Sequence, residues 1–543
     1  MGGPIYCIKK IFGKSKKLVK KSENAKEVFW RDEFYNSREI VILATRHVEY
    51  VAESIKAKLR KVGIKSSVIH SMPDGGYSDL LHIVICPQMF QKLPRLYFAY
   101  QLEQRDSKWF TEEYFEKLRN AVAVFDYTIE NIKYLYKNGF DYKQVYYLPI
   151  QSHEIELAKE EHQYDVLFYG DPDSDRRKKF LEAIAGKFNL KVCVNVFGQD
   201  LLEEIKKAKV VVNIHFYEDA LLETTRISQL LSMGKLIVSE RGINSEEQQE
   251  FEDLVSFVDA GDVDGMLKAI QNILDTGDIE SRRKELIEIA QKKTDWSEFY
   301  LYRALLAFDL ITFDQFYYSI GKQINIPETV CLSLTETVER REHFKRRYAD
   351  IPVFQGLRHD LGWVGAGLSY KFLINRAKDE GLPQLTVCED DVELLPGHNE
   401  KLKFIRSYLE GVKEWDIFSG LIADFDKDTK VLSVDKTEVG YLATIDRTVS
   451  NVFCIYNKSI YDRILMWNPL FRDVKTNTID RFIQNLEKIR VVCCHPYFVK
   501  QSNDVSSTLW GIDNTQYSKM IDESEKSFYS KIQEKATGGS ALN

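Results

Sequence analysis

Short, nearly continuous apolar runs alternate along this chain with longer amphipathic stretches. Residues 39–45, EIVILAT, are β-branched and apolar on both faces, which predicts a strand buried in a parallel sheet. A helix-period stretch follows from His47 to Val62, then strands at Ser66–His70 and Leu81–Cys86. Residues 165–170, DVLFYG, open a second series, with later strands at Lys191–Phe197, Val210–Ile214, Lys235–Ser239 and Val255–Val258. Helix-forming sequence then runs from about Ser281 to Tyr318. A third series begins at Thr329-Val330-Cys331-Leu332-Ser333-Leu334 and continues with strands at Asp416–Ser419, Val452–Tyr456 and Arg490–Cys494. Strand–helix alternation of this kind predicts an α/β protein with largely parallel sheets. The last 28 residues are polar and are expected to fray.

In the third series, Leu385-Thr386-Val387-Cys388 reads as a buried strand that ends in Glu389, Asp390 and Asp391. Strand side chains alternate, so Glu389 and Asp391 are expected on one side and Asp390 on the other. Carboxylates converging at a strand end suit a hard divalent cation, Mg²⁺ or Mn²⁺, which in turn grips a diphosphate. The alternative is a solvated acidic turn.

With 543 residues the chain exceeds what a single core supports. The 44% hydrophobic and 29% charged content is that of a globular protein, and the net charge of −7 argues against general nucleic-acid binding. The eight cysteines are scattered without a CxxC pair and sit mostly in strand-like runs, as reduced core residues of a cytoplasmic protein would. No segment reaches the roughly 18 apolar residues of a membrane span. Residues 9–21, KKIFGKSKKLVKK, hold seven lysines around Ile11, Phe12, Leu18 and Val19. This is either a solvated tail or a basic amphipathic segment making peripheral contact with an anionic membrane.

The third series carries several motifs in a fixed order. Leu332-Ser333-Leu334 is followed by Glu339-Arg340-Arg341. A Gly-rich helix start, Gly362-Trp363-Val364-Gly365-Ala366-Gly367-Leu368-Ser369, precedes Cys388-Glu389-Asp390-Asp391-Val392. Thr478-Ile479-Asp480-Arg481-Phe482 and then His495-Pro496, Gln501 and Ser506-Ser507 complete the set. In order and spacing, residues 329 to about 508 resemble glycosyltransferase family 25, the lipopolysaccharide and collagen galactosyltransferase group. The family has histidine where Tyr370 stands here. The resemblance implies a GT-A-like α/β domain that transfers a sugar from a nucleotide-diphosphate donor, with inversion at the anomeric carbon. It implies Asp391 and Glu389 as metal ligands, with His495 as a third, and Asp390 as a ribose or water contact. Asp480, at a helix start, is the candidate base, with Asp424 and Asp426 behind it; its alternative role is to favour the helix dipole. Leu334, Arg340, Arg341 and Ser369 would line the donor pocket, or Arg340 and Arg341 belong to a solvated helix face.

Residues 164–242 resemble the nucleotide-binding lobe of GT-B glycosyltransferases through Phe168-Tyr169-Gly170, Arg176-Arg177, Glu223-Thr224-Thr225-Arg226 and Gly234-Lys235-Leu236-Ile237-Val238. Tyr100-Gln101-Leu102-Glu103-Gln104 and Leu148-Pro149 fit the preceding lobe. Retaining members carry glutamates where Gln229 and Leu221 stand here, while Glu218 and Glu223 lie off that register. Gly170, Arg176 and Arg226 are the expected diphosphate contacts, a glycine loop for close backbone approach and guanidinium groups for charge. For Arg226 a surface salt bridge is the alternative.

The expected layout is a basic tail at 1–36, a GT-B-like pair of Rossmann-like lobes at 37–155 and 156–312, a GT-A-like domain at 313–515 and a polar tail at 516–543. The partners implied are a UDP-sugar and a glycan or lipid-linked acceptor of surface polysaccharide or lipopolysaccharide synthesis. A non-catalytic glycan-binding or scaffold role for the GT-B-like part is the competing expectation, and a nucleotide-sugar hydrolase is another.

Overall fold

The computed structural model describes residue 34 and residues 37–105, 107–151, 161–506 and 513–538. The lysine-rich segment 9–21 lies outside them. The chain divides into two compact units, Met1–Leu301 and Tyr302–Asn543.

The first unit contains two parallel sheets. One is built from β1 (Glu39–Leu43), β2 (Lys65–Ile69), β3 (Leu81–Ile85), β4 (Tyr97–Gln101), β5 (Ala123–Asp126) and β6 (Val145–Tyr147), in the order β2-β1-β3-β4-β5-β6. Its connections include α1 (Glu49–Lys61), α2 (Glu112–Arg119) and α3 (Ile129–Lys137). Every residue of β3, β4 and β5 is buried, the signature of strands covered on both faces. The other sheet is built from β7 (Tyr164–Tyr169), β8 (Leu190–Cys193), β9 (Ala208–Asn213), β10 (Leu236–Glu240) and β11 (Ser256–Val258), in the order β11-β10-β9-β7-β8. Among its helices are α4 (Asp175–Ala185), α5 (Gly198–Lys206), α6 (Thr224–Ser232), α7 (Ser245–Gln249) and α8 (Val263–Asp275). Its core is Val166, Leu167, Phe168, Val210, Val211, Val212, Ile227, Leu230 and Ile237, packed against Met266 and Ile270. The strand expected at Lys191–Phe197 is shorter because Asn195 adopts φ +56°, which ends the extended run.

The continuous helical stretch expected at Ser281–Tyr318 is three helices, α9 (Ile279–Gln291), α10 (Trp296–Ala307) and α11 (Phe313–Ser319). Thr312 forms a capping box with Gln315 at the start of α11, so the break is built into the sequence.

The second unit is organised on a mixed eight-stranded sheet and a two-stranded ribbon. In chain order its elements are β12 (Thr329–Ser333), α12 (Val338–Arg347), β13 (Val353–Gln355), α13 (Gly362–Asp379), β14 (Gln384–Glu389), β15 (Val392–Leu394), α14 (His398–Gly411), β16 (Ile417–Ser419), β17 (Val431–Thr437), β18 (Gly440–Ile445), β19 (Phe453–Asn457), α15 (Tyr461–Leu465), α16 (Ile479–Gln484), β20 (Val491–His495), β21 (Val499–Gln501) and α17 (Thr515–Gly538). The sheet order is β13-β12-β14-β19-β16-β20-β18-β17, and β15 pairs with β21. Strand β14 runs parallel to β12 and antiparallel to β19, so the carboxylates at its end are anchored by hydrogen-bonded strands on both sides. Gly440 turns the β17–β18 hairpin at φ +109°, and a Cβ there would lie 2.2 Å from the His495 carbonyl oxygen. The C-terminal segment expected to fray is instead α17, whose Ile521, Phe528 and Ile532 are buried. These positions recur on one helical face and dock on the β17–β20 side of the sheet.

In the first unit Asp126, at the end of β5, is fully buried. It accepts from Gln101 Nε2 at 2.9 Å, the Thr128 N–H at 3.1 Å and Asn131 Nδ2 at 3.1 Å. Burial outweighs these donors and pushes its carboxyl up to about 8. A raised folded-state value means that the folded protein holds the proton more tightly than the unfolded chain. Stability from this group is therefore full on the acid side and is lost as pH rises from the ordinary carboxylate range through about 8. Thermal denaturation of wild type between pH 5 and 8 is expected to fall more steeply than that of Asp126→Asn; parallel slopes would reject the assignment.

Candidate active site

The alternation expected across the three carboxylates stops at Glu389. Asp390 and Asp391 occupy the turn between β14 and β15, and both face Arg340 of α12. Arg340 Nε lies 3.0 Å from Asp390 Oδ1, and its Nη2 lies 3.3 Å from Asp391 Oδ2. Asp390 also accepts from Ser333 Oγ at 2.7 Å, at the end of β12. Glu389 turns instead toward α13, where the Tyr370 hydroxyl lies 3.2 Å from its Oε1 and 3.0 Å from the Asn451 carbonyl. The position at which the resemblance departs thus contributes a hydroxyl to the acidic cluster.

Asp391 is held from the C-terminal side of the unit. Its Oδ2 accepts from Gln501 Nε2 at 3.1 Å and from Asn514 Nδ2 at 3.0 Å, and its backbone carbonyl accepts from the Ser502 N–H at 2.7 Å. Its Oδ1 is buried and has no hydrogen-bond partner among the described residues. Burial, and then the charges of Asp391 and Asp390, raise the Glu389 carboxyl above its ordinary range. Burial also raises Asp390, with Arg340 opposing it. Arg340 itself is held firmly charged: burial works against it, but Asp390 and Asp391 prevail. Of these four groups, three are carboxylic acids and one is a guanidinium. Buried carboxylates in excess of cations must take up protons or a further cation.

The structure does not bring His495 to this cluster. Its ring stacks on Tyr529 of α17, with centroids 4.3 Å apart and planes at 22°, and its Nδ1 lies 3.6 Å from Glu525. Among the described residues no three histidine, cysteine, aspartate or glutamate side chains are grouped to hold a metal. A cation here would need oxygens of other kinds as well, and the unpaired Asp391 Oδ1 is one oxygen open to it. Asp480 opens α16 and accepts the Arg481 N–H at 2.8 Å on its own carboxylate. Burial, then Cys454 and the charges of Glu389 and Asp480, push the Tyr456 hydroxyl well up. Asp424 is paired with Arg481 at 2.8 Å and Asp426 with Arg447 at 3.3 Å.

Among the expected donor contacts, Leu334 is half-buried just beyond β12, and Arg341 Nε is buried without a partner among the described residues. The Ser369 hydroxyl is engaged by the Leu357 N–H at 2.8 Å and the Gly365 carbonyl at 2.8 Å, so it fastens α13 to the preceding loop. A groove of about 1670 Å³ at the opposite end of these strands is lined by Trp415, Asn457 and Arg490 and holds none of the expected residues.

In the first unit the expected phosphate contacts fall into two groups. Gly170 adopts φ +126°, and a Cβ there would lie 3.1 Å from Arg226 Nη2. Arg226 donates to Asn213 Oδ1 at 2.9 Å, pairs with Glu223 at 3.0 Å and lies 4.7 Å from the Tyr169 ring centroid. Glu223 precedes α6 at its N-cap position, with its side chain turned to the arginines, and also faces Arg177 at 3.4 Å. Burial would raise it, but Arg226, Arg177 and His215 outweigh burial and hold it low. Arg176 is used differently: it forms a two-pronged pair with buried Glu240, both contacts at 2.5 Å. His215, missed by the sequence reading, is fully buried with neither ring nitrogen hydrogen-bonded among the described residues. Gln104 bonds the Leu221 N–H at 3.1 Å, and Glu247 accepts the Ile129 N–H at 2.7 Å, so the two sheets of this unit are tied by buried polar contacts.

No family profile and no curated protein sequence matches the chain. Solved structures resemble it in part. Sucrose-phosphate synthase from Thermosynechococcus elongatus is 12% identical, covering 49% of this chain and 98% of its own, with a TM-score of 0.33. WaaG, a glycosyltransferase involved in lipopolysaccharide biosynthesis, is 10% identical over 50% of this chain and 99% of its own, with a TM-score of 0.33. The lipopolysaccharide outer core galactosyltransferase WaaB is 11% identical over 52% and 99%, with a TM-score of 0.30.

Proposed function

We propose that this chain is a glycosyltransferase that moves a sugar from a nucleotide-diphosphate donor, a UDP-sugar, to a glycan or lipid-linked acceptor of surface polysaccharide or lipopolysaccharide synthesis. The observation that carries the reading is the acidic cluster at the end of β14, with Asp390 and Asp391 buried and Asp391 Oδ1 left without a donor among the described residues. Mn²⁺ or Mg²⁺ bound there would neutralise the leaving diphosphate. Asp391 and Glu389 would hold that cation, while Ser333 and Arg340 fix Asp390 beside it. The acceptor oxygen bonds to the anomeric carbon as the bond to the diphosphate breaks, and the diphosphate departs with the electron pair. Asp480 takes the acceptor's proton. A single displacement of this kind inverts the anomeric centre.

The first unit, with Gly170 and Arg226, is proposed as a second nucleotide-binding module. Glu223 between Arg226 and Arg177 favours a built ligand site there, although Gln229 and Leu221 stand where retaining enzymes carry glutamates. A non-catalytic glycan-binding module is the second reading of this unit.

Calorimetric titration of UDP, GDP and CMP, each with and without Mn²⁺, into wild type and Asp391→Ala tests both. Mn²⁺-dependent binding of UDP that the variant loses is expected. Metal-independent binding that survives the substitution would move the donor site to the Arg226 module. Absence of nucleotide binding altogether would reject the transferase reading.

A further inference from the structure

Asn514 immediately precedes α17 and is fully buried. Its Nδ2 donates to Asp391 Oδ2 and to the Ser502 carbonyl, both at 3.0 Å. Two acceptors on that side fix the amide orientation, because the reverse placement would set oxygen against oxygen. Asn514 Oδ1 therefore points elsewhere, and it has no hydrogen-bond partner among the described residues. Asp391 Oδ1, on the residue it touches, is in the same condition. The donors near this pair, Gln501 and Arg340, are spent on Asp391 Oδ2. Two buried acceptor oxygens without donors, on touching side chains beside carboxylates that outnumber their cationic partner, are ligands a cation would satisfy. Amide carbonyls are ordinary ligands of hard divalent ions, alongside carboxylates.

We infer that Asn514 Oδ1 and Asp391 Oδ1 together ligate the divalent cation, so that the residue leading into the C-terminal helix completes the acidic site in place of His495. This rests on the proposed cation site and adds its missing oxygen.

The test is a Mn²⁺ titration of the full chain followed by electron paramagnetic resonance, with circular dichroism as the folding control. Wild type is expected to bind Mn²⁺ stoichiometrically. Asn514→Leu is expected to weaken binding by about tenfold or more. Asn514→Asp keeps an oxygen and adds charge, so binding is retained or tightened, whereas a side chain that serves only as a donor to Asp391 would make this variant as weak as the leucine one. His495→Ala is expected to bind as wild type does. Should the leucine variant not fold, the aspartate variant alone decides. Wild-type affinity in a folded Asn514→Leu, or loss of affinity in Asn514→Asp, overturns the assignment of Asn514. Absence of Mn²⁺ binding by the unaltered chain overturns the cation site itself.

Discussion

Asp391→Ala is expected to abolish cation-dependent sugar transfer while leaving the protein folded. A metal that stabilises a departing diphosphate contributes several kcal/mol to the transition state, so its loss lowers kcat/KM by about a thousandfold or more. Removal of this carboxylate also relieves the crowding that raises Glu389 and frees Gln501 and Asn514, so the fold itself loses no favourable charge pair beyond the 3.3 Å contact with Arg340. Product analysis with a radiolabelled UDP-sugar separates the possible results. Sugar on an acceptor made by wild type alone supports the assignment. Free sugar made by wild type identifies a hydrolase using the same carboxylates. Equal turnover by the variant removes Asp391 from the chemistry.

Phe528→Ala carries the largest expected cost in stability, about 3–5 kcal/mol by the usual range for a buried phenylalanine. Phe528 is fully buried in α17 and packs on Phe425 and Tyr497, with ring centroids 5.8 Å and 6.0 Å away. A fraying tail would tolerate the change within about 0.5 kcal/mol, as surface substitutions do. Chemical denaturation followed by tryptophan fluorescence distinguishes the two, and an unchanged midpoint would detach the helix from the core.

The strands that were legible are compact apolar runs with β-branched residues, from EIVILAT in the first unit to LTVC before the acidic turn, whereas β4, β5, β17 and β18 went unread. What escaped did so for physical reasons. Strands β15 (VEL) and β21 (VKQ) are three residues long and interrupted by charge, so no apolar run marks them. Helix α17 spreads its buried Ile521, Phe528 and Ile532 through a polar 24-residue stretch, so composition hid a face that helical spacing would have exposed. In the site, Glu389, Asp390, Asp391 and Arg340 were readable as charges at element ends. Tyr370 and Gln501 were noted only as motif positions without a role and Asn514 not at all, because uncharged donors reach Glu389 and Asp391 through the tertiary fold. His495 was placed by the resemblance and by its strand end, neither of which reveals that its ring packs on Tyr529 and faces Glu525.

The hydrogen bond between Asp391 and Asn514 spans 123 positions of the chain. Segments of a folded protein open locally ahead of global unfolding, and one that parts Asn514 from Asp391 is such an opening. Here such an opening strips Asp391 of a donor and exposes its unpaired oxygen to water in the same step. Separation of these two side chains and loss of the environment that tunes the acidic turn are thus one local transition, and amide exchange at the start of α17 is expected to report how often it occurs.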